Sequence, residues 1–398
     1  MDKNTQEAFI ISAVRTPIGS FLGSLSSFSA VRLGSLVIEE ALKRSAVPKD
    51  KVDSVILGNV LPSGLGQAPA RQAALGAGLS TSVGCLTINK VCGSGLKAVM
   101  LGAQAIRAGD ADVIVAGGME SMSNAPYIME RARSGLKMGH AQLVDSMIKD
   151  GLWDVYNDCH MGICGERAAK TSNYTREAQD EYAIMSYRRA LEAQKSGGFK
   201  EEILPVQISQ KKGPPIIVAE DEEPKKVDFD KLPMLKPAFE DKGTITAANA
   251  SSINDGAACV VLASSNSMKS LKLAPIARIV SYGESGVEPV SFPYAPITAI
   301  EKAVERSGLR KDQIDLYEIN EAFAVVALAV TDKLGLDSSK VNIKGGAVAL
   351  GHPIGASGAR VLTTLLYAMK ERKSTYGCAS LCIGGGEAVA LIVEGLLS

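Results

Sequence analysis

An α/β protein of two similar halves packed as a pseudo-dimer, with a large insertion between them, is the architecture this sequence predicts. Three observations carry that reading. Residues 38–57 (Ile38-Glu-Glu-Ala-Leu-Lys-Arg-Ser45 onward) align without a gap with residues 300–319 (Ile300-Glu-Lys-Ala-Val-Glu-Arg-Ser307 onward), and eight of the twenty positions are identical. Each copy reads as an amphipathic helix, a turn and a buried strand. A second echo follows at nearly the same offset. Cys92-Gly-Ser94-Gly95 opens an apolar-periodic helix that leads to a strand at Asp112–Ala116, and Ile354-Gly-Ala-Ser357-Gly358 opens a helix that leads to a strand at Cys378–Cys382. Between the echoes the texture changes: from about Ser121 to Asn249 methionine, Arg/Lys/Glu helix formers and the charged stretch Glu220–Asp230 dominate. The boundaries expected are 1–120 with 250–272 for the first half, 121–249 for an inserted loop domain standing on it, and 273–398 for the second half. Insertions of this kind more often carry binding than core packing.

With 398 residues the chain is long enough for more than one core. Lysine plus arginine balances aspartate plus glutamate at 43 each, so no global field draws the protein to nucleic acid or anionic membrane. An anionic ligand would have to be met locally. No apolar run reaches the roughly 20 residues of a membrane span. Seven cysteines without a secretory signal fit reduced thiols in a cytosol-like compartment. The start has no transit peptide and Gly395–Ser398 lacks a Ser-Lys-Leu address, so a cytoplasmic location is expected, with the mitochondrial matrix as the alternative for a processed chain. Cys159, His160 and Cys164 lie close in sequence. Without a CxxC pair and with zinc usually taking four ligands, a metal there is disfavoured.

Four stretches could carry chemistry. Cys92 sits where an apolar segment meets a helix; glycines flanking Ser94 permit a tight turn, and the helix dipole favours a thiolate. The other reading of Cys92 is a small buried hydrophobe. His352, one of three histidines, lies in the shaped loop Gly351-His-Pro-Ile-Gly-Ala-Ser-Gly358, where it is either a base toward a thiol or a core histidine bonded to a carbonyl. Cys382 precedes Ile383-Gly-Gly-Gly386; such glycines either aim an N–H at a ligand oxygen or make a plain turn. A phosphate loop is excluded, because no Lys-Ser/Thr follows and no GxGxxG opens the first helix. Asn320 in Asn320-Glu-Ala-Phe323 is either a helix N-cap or the anchor of a water beside a reactive carbonyl.

Together, Asn89-Lys-Val-Cys-Gly-Ser-Gly95, Asn320-Glu-Ala-Phe323, Gly351–Arg360 and Cys382-Ile-Gly-Gly-Gly386 resemble the thiolase family in order and spacing, over nearly the whole chain. The resemblance implies the thiolase fold: α/β, two βαβαβαββ halves in five layers, α-β-α-β-α, with an inserted loop domain. It also implies an acetyl-CoA acetyltransferase that condenses two acetyl-CoA reversibly to acetoacetyl-CoA and CoA by a ping-pong route. In that scheme Cys92 takes the acetyl group, activated by His352, and Cys382 removes a proton from the second acetyl-CoA. His352 and a water on Asn320 hold the enolate oxygen, and the N–H groups of Cys92 and Gly384 hold the tetrahedral oxyanion.

Coenzyme A contacts carried over from the family fall on Leu152, His160, Met161, Lys226, Lys231, Ala238, Phe239, Ala247, Ser251, Ile253, Phe292 and Phe323. Phe292-Pro293 resembles forms that also cleave 2-methylacetoacetyl-CoA. Tyr187, Ala247, Ala248, Ala250 and Val348 match positions that hold potassium in those forms; no tightly bound organic cofactor is implied, and relatives of this type are homotetramers. Glu387-Ala388 departs from the pattern, which has small or apolar residues there. Two alternatives stay open: a degradative 3-ketoacyl-CoA thiolase, and a non-catalytic carrier of acyl-CoA or lipid on the same fold.

Overall fold

A computed structural model describes residues 6–396; Leu397 and Ser398, the last two residues of the terminal stretch read above, lie outside the described residues. The first half begins with β1 (Ala8–Arg15) and α1 (Ala30–Ser45). Ser29 Oγ accepts from Arg32 N to cap α1, its apolar stripe (Leu33, Val37, Ile38, Ala41, Leu42) is buried, and left-handed Ala46 ends it. There follow β2 (Ser54–Gly58), α2 (Pro69–Gly76), β3 (Gly84–Ile88), α3 (Ser94–Ala108), β4 (Val113–Ser121) and, after the insertion, β5 (Asn254–Ser264). The second half repeats the plan with β6 (Ala277–Gly286), α6 (Ala295–Ser307), β7 (Leu316–Ile319), α7 (Ala324–Leu334), α8 (Ile354–Arg372), β8 (Tyr376–Ile383) and β9 (Glu387–Gly395).

The duplication is visible in the pairing. β2 runs parallel to β4, β4 antiparallel to β5, and β5 antiparallel to β1. In the same order β7 runs parallel to β8, β8 antiparallel to β9, and β9 antiparallel to β6. In the second half the counterpart of edge strand β3 shrinks to an isolated bridge between Tyr317 and Val341. The half-sheets join where Phe9 and Ile10 of β1 pair with Arg278 and Ala277 of β6.

Alternation along the strands sorts the layers. Ile114 and Ala116 face a central cluster with Leu96, Val99 and Ala103 of α3 and Val361, Leu362 and Leu365 of α8. Val113 and Val115 face the other way, onto α1 and α2. On the far sheet Cys378, Ala390 and Ile392 face α6 and α7. The result is five layers, α-β-α-β-α, with α3 and α8 side by side in the middle.

The insertion does not stand on the first half alone. Its helices α4 (Met161–Ser172) and α5 (Arg176–Ser196) pack on the second half: Cys164 and Ala168 join Phe292, Ile319 and Phe323, and Tyr182, Ala183 and Tyr187 join Ala324, Ala327 and Val348. Ser123 and Asn124 at its start and the return strap tie it to the first half. Fully buried Arg15 binds Glu202 through Nε at 2.6 Å and grips Asp221 through Nη1 and Nη2 at 2.7 and 2.9 Å. A fork on paired carboxylates compensates the cost of burying the charge. The apolar faces of α4 and α5 are covered by residues of the second half, among them Val325 and Val326 of α7 for α4 and Ala324 and Ala327 for α5.

Two glycines set how closely α3 and α8 approach. A Cβ on Gly358 would lie 2.2 Å from Leu96 N, and one on Gly95 2.7 Å from Ala359 N. Gly358→Ala would gain about 1 kcal/mol of helix propensity but force the helix backbones apart, an overpacking cost of about 1–3 kcal/mol. The collision should win: a lower urea midpoint is expected, and an unchanged or raised midpoint would show that the helices can separate freely.

Candidate active site

The first turns of α3 and α8 point the two characteristic loops at one place. Cys92 lies two residues before α3, and His352 two before α8. With Gly384 they line a cavity of about 210 Å³. The rest of the wall is mostly apolar: Leu152, Met161, Phe239, Ile253, Phe292 and Phe323, joined by His160 and Ser251. Twelve of the positions singled out in the sequence, Ala250 among them, therefore share one space.

Cys92 sits on a strained turn. Val91 has φ +44°, a left-handed conformation unusual for a β-branched residue. The turn is stitched by Ser94, whose Oγ accepts from Lys90 N at 2.8 Å and donates to Val91 O at 2.7 Å, and by Asn89 Oδ1, which accepts from Val91 N at 2.9 Å. The thiolate expected from the helix dipole is not the resting form. Enclosure among apolar walls pushes the Cys92 thiol up to about 11, although the backbone N–H groups of Gly384 and Cys92 itself favour the anion. Desolvation outweighs the dipole because the helix starts only at Ser94.

His352 is held in one orientation. Its backbone N–H donates to Asn254 Oδ1 at 2.9 Å. Ser357 Oγ donates to Pro353 O at 2.9 Å and lies 2.6 Å from His352 Nδ1, where it can accept a ring N–H. In that arrangement the ring proton is on Nδ1 and Nε2 carries a lone pair. Burial, reinforced by the Arg360 charge, pushes the imidazole down to about 3, so it is neutral. A neutral base beside a neutral thiol is the result.

Cys382 and Asn320 lie behind the lining, both fully buried. Cys382, near the end of β8, is pushed well up by burial and by the proximity of Cys92. Asn320 is not an N-cap, since α7 begins at Ala324 with Phe323 in the cap position. Its Nδ2 lies 3.5 Å from His352 Nε2, and its Oδ1 is buried without a hydrogen-bond partner among the described residues.

His160 caps α4, its Nδ1 accepting from Gly162 N at 3.0 Å, and stacks on Phe239 at 4.8 Å. Burial lowers its pKa, which leaves Nε2–H as a neutral donor. Ala238, Ala247, Lys226 and Lys231 are not brought to the cavity wall. Lys226 bonds Ser20 and Glu223, and Lys231 pairs with Asp228 at 2.8 Å. Tyr187 and Val348 pack in one cluster, Ala248 and Ala250 are buried, and Ala247 is exposed. The trio Cys159, His160, Cys164 does not assemble: His160 is engaged elsewhere, and Asp154 joins the two cysteines instead, three donor atoms within 4.8 Å, one fewer than the usual zinc set.

Sequence reasoning missed the groups that hold the loops. Glu120, fully buried, accepts from Asn59 Nδ2 and from the backbone of Val60, Leu61 and Gly355, fastening the start of α8 to the end of β2. Four donors offset only part of its desolvation, and its carboxyl is pushed up to about 7. Glu321 accepts from Tyr182, Ser186, Asn342 and Val348, fixing the loop that carries Asn320. Ser357 could have been found inside the histidine motif; Asn254 and Glu120 left no local signal.

The chain matches the family description "Thiolase, N-terminal domain" over residues 8–266 and "Thiolase, C-terminal domain" over residues 273–395. It is 54% identical over 393 residues to acetyl-CoA acetyltransferase 2 of Arabidopsis thaliana, covering 98% of each chain. It is 54% identical over 389 residues to the acetyl-CoA acetyltransferase of Cupriavidus necator, covering 98% of this chain and 99% of that one. A crystal structure of the Acat5 thiolase from Ascaris suum in complex with coenzyme A superimposes with a TM-score of 0.93 at 49% identity, covering 98% of this chain and 100% of that one.

If Nε2 of His352 is the base for Cys92, His352→Ala should slow alkylation of Cys92 by iodoacetamide at pH 7 by about a hundredfold. Since the raised thiol pKa means that the free thiolate accumulates only as pH climbs toward about 11, the gap should close at alkaline pH. A gap that is constant from pH 7 to 10 would remove His352 from that role.

Proposed function

The chain belongs to the thiolase family, and from that premise we propose that it is an acetyl-CoA C-acetyltransferase, condensing two acetyl-CoA to acetoacetyl-CoA and CoA in a reversible reaction. The observation that carries the reading is the shared cavity in which Cys92, His352 and the Gly384 N–H meet.

The chemistry follows from the resting protonation. His352 Nε2 takes the Cys92 proton as Sγ attacks the thioester carbon. The N–H groups of Cys92 and Gly384 hold the oxyanion, as they favour the thiolate. Collapse expels CoA as a thiolate, which takes the proton of Cys382, leaving acetyl-Cys92, the His352 imidazolium and the Cys382 thiolate. Cys382, as thiolate, then takes a proton from the methyl of the second acetyl-CoA, and the resulting carbanion attacks acetyl-Cys92. Cys92 leaves as a thiolate and recovers its proton from the His352 imidazolium, while Cys382 keeps the proton it took, so all three groups return to their neutral resting forms. A water with one hydrogen on Asn320 Oδ1 has its other free for the enolate oxygen. His352 helps there only in its protonated form, because Ser357 keeps the neutral ring's proton on Nδ1. Short acyl groups suit a cavity narrowed by Phe239, Phe292 and Phe323, with Phe292 also the contact proposed for a 2-methyl branch.

Potassium is proposed at Tyr187, Ala247, Ala248, Ala250 and Val348: the buried Tyr187 phenol is pushed up by burial and then by Glu223 and Glu321, a negative neighbourhood that suits a monovalent cation. A homotetramer is proposed from the exposed Tyr127, Met129, Leu136, Met138 and Leu143 of the insertion.

Intact-mass and peptide analysis after incubation with acetyl-CoA should find one acetyl group on Cys92, absent in Cys92→Ala; a protein that binds acetyl-CoA yet never becomes acetylated would be a carrier. Cys382→Ser should still be acetylated but form no acetoacetyl-CoA, and loss of acetylation would overturn the division of labour between the thiols. Thiolysis should favour acetoacetyl-CoA over a long-chain 3-ketoacyl-CoA, the reverse preference marking the degradative type.

A further inference from the structure

The oxyanion site is shared between halves: Cys92 comes from the first and Gly384 from the second. Hydrogen bonds from Ser94 and Asn89 shape the Cys92 turn internally, but they say nothing about where it sits relative to the other half. Besides the Gly384 N–H that faces Cys92 Sγ, the contact there is apolar, with Gly93 resting on Ile383 and Val389. We infer that Lys90 and Glu387 are positioning residues that lock the Cys92 turn onto the Gly384 loop across the junction between the halves.

Lys90 stands two residues before Cys92, on the near side of strained Val91. Its Nζ bonds the carboxylate of Glu387, the first residue of β9, immediately after the turn Gly384–Gly386. Gly385 and Gly386 have φ of +88° and +85°, so that turn also depends on its flanks for a defined shape. A second carboxylate, Glu284 on β6, lies 3.6 Å from Lys90 Nζ and bonds Lys97 on α3. Two cations of the first half thus alternate with two anions of the second. The lysine side chains are mostly covered, 21% and 20% exposed, while Glu387 and Glu284 are 45% and 37% exposed, so the cluster is partly screened and its effect is expected to be modest. The carboxylate at 387, where the family pattern has a small or apolar residue, thereby acquires a specific partner beside the nucleophile. The inference rests on Cys92 being the acetylated thiol.

The test compares Glu387→Gln, Lys90→Met and the double variant with the wild type, with Glu387→Asp as the conservative control. In single turnover, acetylation of Cys92 should fall about two- to fivefold in each single variant. The double variant should be no slower than the singles, and Glu387→Asp should recover part of the loss. The double variant changes no net charge, so the pH midpoint of Cys92 alkylation in it reports alignment alone. That midpoint should rise, because a misplaced Gly384 N–H stabilises the thiolate less. Wild-type acetylation rates in Glu387→Gln, effects that multiply in the double variant, or an unmoved midpoint would each overturn the inference. A wild-type protein that takes no acetyl group on Cys92 would instead overturn the nucleophile assignment, while the alkylation midpoint would still decide whether the pair aligns the turn.

Discussion

The close approach of α3 and α8 is the contact from which the rest of the structure follows. Gly95 and Gly358 remove the side chains that would hold the helices apart, and their first turns meet between the sheets. Because each helix is preceded by a loop, that single contact brings a thiol and an imidazole from opposite halves to one cavity. Gly118 and Gly355 extend the same logic: a Cβ on Gly118 would fall 2.0 Å from Gly355 O, so strand β4 also abuts the α8 entry. Close packing without room for adjustment substitutes for flexible loops, and the site inherits the rigidity of the core.

Low polarity then decides the protonation state. The cavity walls are apolar, so burial raises the thiols and lowers His352, and the resting pair is uncharged. Charge arises only as the reaction proceeds, where fixed N–H groups already face it. The supporting polar groups follow a different rule. Glu120 and Glu321 are each surrounded by four donors, which makes them rigid joints rather than reactive groups.

Much of this was legible in the amino-acid order. The repeat at 38–57 and 300–319 marks two helix–strand units that occupy equivalent places in the two half-sheets, because amphipathic periodicity records which face is buried. Cys92 and His352, singled out by the glycine and proline chemistry of their loops, and Gly384, singled out by the family resemblance, line one cavity. The neutral state of Cys92 was not readable, since desolvation depends on walls contributed by Phe239, Phe292 and Phe323 from distant parts of the chain. Nor was the seat of the insertion, because an amphipathic helix shows that it has an apolar face and not which partner covers it. Lys226 and Lys231 illustrate the converse: the family resemblance placed them near a cofactor, and in this chain their ion pairs are with neighbouring carboxylates.

The near-symmetry of the halves has a chemical implication. The loops before α3 and α8 occupy equivalent places and meet face to face. In an assembly of two identical polypeptides, whatever stood at one loop would confront its own copy, sulfur against sulfur or ring against ring. Once the two copies differ, as the joined halves of this chain do, each side can specialise, one becoming the attacking group and the other its proton acceptor, so the broken symmetry at this junction is itself a condition of the reactivity.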